Sequence, residues 1–284
     1  MRLIGAVKVG PVGLGAMPLS IEGRPDEARA VATIHAALDA GVTLIDTADS
    51  YHWHAGESGH NERLVARALA AYGPADVLVA TKGGRARPGD GSWTVDGHPR
   101  HLRAACEASL RRLGVEAIGL YQLHKPDPAV PFEESVGALR DLLDEGKIRM
   151  AGISNVDGAQ IRQAAAVLGG RLASVQNRFS PAAPEGLSEL RLCADLGIAY
   201  LPWSPLGGIS PSALEPGATT PARGPFHDIA AERGVSPQRV CLAWHLSLAP
   251  NVIPIPGATR PTSIADSAAA ADLTLTPAEL TRLP

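Results

Sequence analysis

The chain has 284 residues, and its Lys+Arg 26 against Asp+Glu 29 give a formal net charge of −3. That balance lacks the broad positive field that gathers phosphates, so no nucleic-acid partner is expected. Hydrophobic residues at 45% and charged residues at 19% supply a large core and exclude a disordered chain. The length suits one α/β barrel domain over residues 1–284.

Residues 1–9 read as a short hairpin that would cover a barrel floor. VGLGAM (12–17) reads as a first strand. Residues 26–40 have helical spacing with acids in the first turn, and they stop at Gly41, where a left-handed cap is wanted. A strand over 42–48 follows. The same unit then recurs: a helix over 61–72 leads to a strand at 77–82, 99–113 to 118–124, 131–144 to 148–154, and 157–168 to 172–176. It continues with 187–195 leading to 198–204 and 236–248 to 251–257, and 261–271 is the last full helix. Eight strands alternating with helices must run parallel and can close, which predicts a (β/α)8 TIM barrel. An open doubly wound sheet is the alternative, and it lacks a GxGxxG turn after an early strand. Two Gly/Pro-rich loops, 83–99 and 207–225, follow strands and so belong as long loops on the C-terminal face.

The N-terminal MRLIGAVKVGPVG has neither the apolar run nor the cleavage site of a secretory signal, and no stretch nears the ~20 apolar residues of a bilayer span. A cytoplasmic protein without membrane contact is expected. Cys106, Cys193 and Cys241 are three and scattered, which suggests core thiols rather than a disulfide framework or a zinc site.

Polar residues close several apolar strands: Asp46 ends LID, Lys82 ends VLVATK and His124 ends LYQLH. A lone ionisable group at a strand end is commonly a satisfied structural residue. Three from parallel strands of one barrel would instead meet at one mouth. Tyr51 lies just beyond Asp46. An ammonium beside a phenol favours phenolate and would draw the tyrosine pKa down from ~10, while Asp46 keeps the lysine charged. Such a tyrosine can protonate a carbonyl oxygen as hydride reaches the carbon, and His124 could orient that oxygen.

With LIDTADSY, VATKGG, LYQLHKPDP, GISN, SVQNRFSP, PWSPLGG and IPGATRP in this order, the chain resembles the aldo-keto reductase superfamily over essentially its whole length. The resemblance implies an Asp46, Tyr51, Lys82 and His124 tetrad with Tyr51 as general acid/base, and reduction of a small-molecule aldehyde or ketone to the alcohol. It implies a nicotinamide amide held by Ser154, Asn155 and Gln176, with Trp203 stacked on the ring. Gly15, Ala16, Met17, Asp46 and Ile255 would lie along the cofactor. Ser204, Pro205, Leu206 and Gly207 would follow the pyrophosphate, and Gly257, Thr259, Arg260, Ser263, Asp266 and Ser267 the adenosine half. Arg260 can hold a 2′-phosphate with two hydrogen bonds, which favours NADP(H) over NAD(H). No metal is implied.

Departures from the family pattern are the His52-Trp53-His54 run after the tyrosine, Arg178 at a position that is often acidic, and Gly257, Ala258 and Ser263 where relatives that strongly prefer NADPH often carry a Lys-Ser pair and a later Arg. Trp53, His54 and Trp93 are candidate walls of the substrate pocket, suiting an aromatic or heterocyclic, pyridoxal-like carbonyl compound. The chain stops at Pro284, so a comparatively open mouth is expected. Rival readings are a nicotinamide-sensing binding subunit without turnover, and a metal-dependent barrel hydrolase built on the His52/His54 pair. The latter lacks the further ligands on late strands that such a site requires.

Overall fold

Two antiparallel strands, β1 (Arg2–Ile4) and β2 (Val7–Val9), open the computed structural model, which describes residues 1–210 and 224–284. They are followed by β3 (Leu14–Gly15), α1 (Glu27–Asp39), β4 (Leu44–Asp46), α2 (His60–Tyr72), β5 (Leu78–Gly83), and the small hairpin β6 (Arg85–Ala86) and β7 (Thr94–Val95). Next come α3 (Pro99–Leu113), β8 (Leu120–Leu123), α4 (Phe132–Asp144), β9 (Ala151–Ser154), α5 (Gly158–Val167), β10 (Leu172–Gln176), α6 (Leu187–Asp195) and β11 (Ala199–Tyr200). The chain continues through α7 (Pro225–Arg233), α8 (Pro237–Leu248), α9 (Pro261–Ala268) and α10 (Pro277–Thr281).

Local chemistry sets these bounds. Asp26 caps α1 by accepting from the Arg29 amide at 2.8 Å, and Gly41 follows it at φ 80°. Asp157 and Gln160 form a capping box on α5, and Gly114 closes α3 in the left-handed region.

Among the described residues the main sheet is parallel, in the order β11-β10-β9-β8-β5-β4-β3. Residues 251–257 supply the eighth stave of a (β/α)8 barrel. On one side Ile253 and Ile255 donate to the carbonyls of Tyr200 and Pro202, at 2.9 and 3.1 Å. On the other, Gly13 and Gly15 donate to Pro254 and Pro256, at 2.9 and 3.0 Å. Both prolines fall on the β3 side, so there the segment accepts hydrogen bonds and donates none. This one-way ladder closes the barrel without forming a regular strand.

The N-terminal hairpin lies where the sequence predicts. Ile4 and Val9 are buried among Leu44, Leu78, Leu120, Leu201 and Ile253, plugging the barrel floor. The opposite, C-terminal mouth carries the long loops. Two elements differ from expectation. The loop over 83–99 contains the β6–β7 hairpin, and α7 precedes α8 where one helix was predicted. Of the loop predicted over 207–225, residues 211–223 lie outside the described residues. The three cysteines are free and buried, and burial pushes the Cys106 thiol up to about 12.

Candidate active site

Parallel strands bring polar side chains to the mouth because each apolar strand ends on one. Asp46 ends β4, Lys82 lies near the end of β5, Ser154 ends β9, Gln176 ends β10, and His124 comes just after β8. Lys82 is wholly buried, and its ammonium donates to Asp46 Oδ1 at 2.5 Å, to the Thr47 carbonyl at 2.9 Å and to the Tyr51 hydroxyl at 3.0 Å. Three acceptors saturate the ammonium, which is what makes a fully buried lysine tolerable. Asp46 in turn accepts from Gln176 Nε2 at 2.8 Å and Gln122 Nε2 at 3.3 Å. The Tyr51 and His124 rings meet edge to face with centroids 5.6 Å apart. All four residues predicted for the tetrad therefore gather at one place.

Burial works against charge on Lys82, but Asp46 and Tyr51 outweigh it, so its pKa is raised and it stays an ammonium. The tyrosine does not follow the sequence expectation. Burial pushes the Tyr51 phenol above its ordinary 10.0; the Lys82 charge pulls it down without reversing that, and Asp46 adds to the rise. The Tyr51 resting state is thus a neutral phenol, a proton donor. Burial, reinforced by the charges of Lys82 and Arg85, holds His124 well below 6.5, so its ring is a neutral imidazole.

These groups head a cavity of about 720 Å³ that runs across the barrel mouth to the start of α9. Tyr51, His124, Trp93 and Arg85 line one end. Ser154, Asn155, Gln176 and Trp203 form the middle, and Gly257, Thr259, Arg260, Ser263, Asp266 and Ser267 the far end. Gly15, Met17, Ile255 and the run Ser204, Pro205, Leu206 and Gly207 line the walls between. Asn155 and Ser204 both hold positive φ, 60° and 48°, an uncommon backbone state for such residues that concentrates at binding sites. Asn155 Nδ2 donates to the His124 carbonyl at 2.9 Å, and the Ser154 hydroxyl donates to the Gln176 carbonyl at 2.6 Å, fixing the middle of the site. The indole Nε1 of Trp203 is buried without an acceptor.

A family model described as the Aldo/keto reductase family matches residues 11–284. The chain belongs to the aldo/keto reductase family. It is 33% identical over 280 residues to an uncharacterized oxidoreductase of Schizosaccharomyces pombe, covering 95% of this chain and 86% of that one. Among solved structures it is similar to the glycerol dehydrogenase of Gluconobacter oxydans, at 30% identity and TM-score 0.83, covering 99% of this chain and 92% of that one. It is also similar to an aldo-keto reductase from Klebsiella pneumoniae in complex with NADPH, at 27% identity and TM-score 0.78, covering 96% and 89%.

In this aldo/keto reductase several predicted residues stand apart from the cavity. Ala16 is fully buried behind the wall, its amide donating to the Asp46 carbonyl at 2.8 Å. Trp53 and His54 are not in the lining. Their rings stack on each other at 4.9 Å, with the Arg24 guanidinium over Trp53, and Trp53 is 37% exposed. His52 Nδ1 pairs with the His54 carbonyl at 2.8 Å, so the HxH pair forms a local turn. Trp93 does line the cavity, its ring 6.5 Å from that of Tyr51. Asp266 lines it too, but its carboxylate is paired with Arg239 at 2.6 Å and accepts from Ser236. The backbone of Arg178 bridges that of Trp203.

Sequence reasoning missed Gln122, Gln238, Ser210, Thr262 and Arg85. Gln122 had a signal, an amide in the middle of the apolar strand LYQL. Arg85 had one in the basic alternation GRAR, directly after the lysine strand. Among the described residues, no helix is long and apolar enough to cross a membrane, and no group of three or more His, Cys, Asp or Glu is placed to hold a metal ion.

Proposed function

We propose that this chain is an NADPH-dependent reductase of an aldehyde or ketone, with Tyr51 delivering the proton. The observation that carries the reading is the saturated Lys82 ammonium, bonded at once to Asp46 and to the Tyr51 hydroxyl at the head of the cavity.

The residues present fit a dinucleotide. The cavity is elongated, polar in its middle and bounded by an aromatic ring, and Trp203 has an orphaned buried N–H beside it. At the far end Arg260, an exposed residue that lines the cavity, is the N-cap residue of α9 and has no ion pair among the described residues. A guanidinium and a helix N-terminus together favour a phosphate, which supports NADP(H). Ser154, Asn155 and Gln176 would hold the nicotinamide amide, and the 204–207 run would follow the pyrophosphate.

Bound reduced nicotinamide supplies the hydride that a carbonyl carbon accepts. The chain's residues do the rest. Tyr51, a neutral phenol at rest, gives its proton to the carbonyl oxygen, and the Lys82 charge stabilises the phenolate left behind. Asp46, braced by Gln122 and Gln176, holds that lysine in register. Neutral His124 orients the carbonyl oxygen by a hydrogen bond. Trp93 beside Tyr51 supplies an aromatic wall, which supports an aromatic or heterocyclic, pyridoxal-like substrate.

Tyr51→Phe tests the reading. NADPH affinity by fluorescence titration should stay within a few-fold. Turnover of benzaldehyde should fall by about 10²–10⁴-fold, the range for losing a positioned proton donor. Near-normal kcat in that variant would sink the assignment. Single-turnover oxidation of bound NADPH by the wild type separates an enzyme from a nicotinamide-sensing subunit. Arg260→Ala should weaken NADPH more than NADH.

A further inference from the structure

Among the described residues, Arg85 is a cation without a counter-charge inside the carbonyl end of the cavity. It extends from β6 beside Tyr51, His124 and Trp93, with its guanidinium carbon 4.4 Å from the Trp93 ring centroid. Its Nε is buried and has no acceptor, and no carboxylate among the described residues forms an ion pair with it. Two residues along, Arg87 lies 4.5 Å from the same ring; its Nε also lacks an acceptor, but both of its terminal nitrogens are engaged. It pairs with both oxygens of Glu22 and donates to the His52 carbonyl at 2.7 Å. Arg85 lies in β6 and Arg87 directly after it; they share an aromatic neighbour but differ in whether the described residues supply an anion.

Among the described residues that line the cavity, no other supplies one. Asp46 is taken by Lys82, Gln122 and Gln176, and Asp266, at the opposite end, is taken by Arg239. A half-buried guanidinium facing a cavity without a partner is costly unless a ligand completes it, and desolvation already lowers the Arg85 pKa. The planar fork of an arginine matches carboxylate and phosphate oxygens with paired hydrogen bonds, and the Trp93 face holds that fork in orientation.

We infer that Arg85 is a specificity-determining residue and that the preferred carbonyl substrate carries an anionic group, a carboxylate or a phosphate, about one ring's width from the reacting carbon. This rests on the reductase reading for its catalytic readout but not for its binding readout. Arg85 binds the remote end of the substrate while Tyr51 and His124 hold the carbonyl.

The test compares matched aldehydes at saturating NADPH. In the wild type, p-carboxybenzaldehyde should exceed its neutral ester, methyl p-formylbenzoate, in kcat/KM by at least tenfold, mainly through KM. In Arg85→Met that ratio should collapse to near one, and Arg85→Lys should keep an intermediate ratio, since a point charge replaces the fork. Running p-formylphenyl phosphate against p-methoxybenzaldehyde shows which of the two anions is preferred. In parallel, calorimetric titration with terephthalate should give at least tenfold weaker binding in Arg85→Met than in wild type. A wild-type ratio near one, or a ratio unchanged in both variants, overturns the anionic-substrate inference. Absent turnover of every aldehyde, with terephthalate binding still dependent on Arg85, overturns the reductase reading and leaves the anion site standing.

Discussion

At the scale of single residues, burial outweighs opposing charge at Tyr51, whereas at Lys82 the neighbouring Asp46 and Tyr51 outweigh burial. Spacing suggested that Lys82 would draw the Tyr51 phenol down; enclosing both groups pushes the phenol up instead. On the proposed mechanism reduction uses the protonated phenol. The reduction rate should therefore stay flat through neutral pH and fall only as pH climbs past the raised Tyr51 value, measured as a pH profile of kcat. Lys82→Met removes the charge that opposes that rise and should shift the fall further alkaline, besides slowing turnover. Asp49 shows the same physics away from chemistry. It is buried, its Oδ1 has no donor, and burial, with Glu62 nearby, pushes its carboxyl up to about 8 against the opposing pull of Arg112. Between the unfolded carboxyl pKa of about 3.9 and that value, the folded state binds more protons than the unfolded, so Asp49 costs stability as pH rises through the window. Asp49→Asn keeps the shape without the charge. Its Tm should exceed the wild-type value by several degrees at pH 8 and by much less at pH 4.5. An equal gain at both would show that ionisation is not the cause.

At the scale of elements, the β6–β7 hairpin is a wall of the cavity that Arg87 ties to neighbouring loops. Arg87, directly after β6, bonds to Glu22, in the loop before α1, and to the His52 carbonyl, while its guanidinium lies over Trp93, just before β7. Charge-assisted hydrogen bonds are worth about 1.5–3 kcal/mol each, so losing them should open this hairpin before anything else. In Arg87→Ala, amide exchange over residues 85–95 should speed up at least tenfold while α1–α6 keep their protection, and KM for aromatic aldehydes should rise. The hairpin was not legible in the sequence. GRARPGDGSWTVDG carries Gly and Pro signals that fix a loop, but its two-residue strands are too short to show a period, and the Arg87–Glu22 contact that orders them is remote in the chain. The Asp46, Tyr51, Lys82 and His124 positions were legible because each lies at or just beyond the end of an apolar strand. The placement of Trp53 was not, since its stacking on His54 and Arg24 is a tertiary choice that local pattern does not encode.

At the scale of the whole molecule, the repeat of helix and strand foretold a barrel, but the closing seam lay in a stretch that reads poorly as a strand. NVIPIPG has two prolines, and it works as a stave only because both fall where an acceptor suffices. The seam therefore depends on close approach from the opposite side. A Cβ on Gly15 would stand 2.7 Å from the Ile255 carbonyl oxygen, inside any real contact, and that oxygen, like the Cα that would carry the Cβ, belongs to backbone that the barrel cannot move independently. Gly15→Ala must spread β3 from residues 251–257, and overpacking of this kind costs about 1–3 kcal/mol. Gly137 is the useful contrast. It sits inside α4 with nothing closer to an added Cβ than an Arg140 nitrogen at 3.9 Å, so Gly137→Ala should stabilise by roughly 0.5–1 kcal/mol through helix propensity. The same chemical change should thus lower Tm by several degrees at Gly15 and raise it by one to a few degrees, at about 2–4 °C per kcal/mol, at Gly137. Because Gly15 also lines the cavity, its variant should bind NADPH more weakly, whereas Gly137→Ala should not. Matching shifts in the two variants would mean that the seam is slack and that barrel closure rests elsewhere.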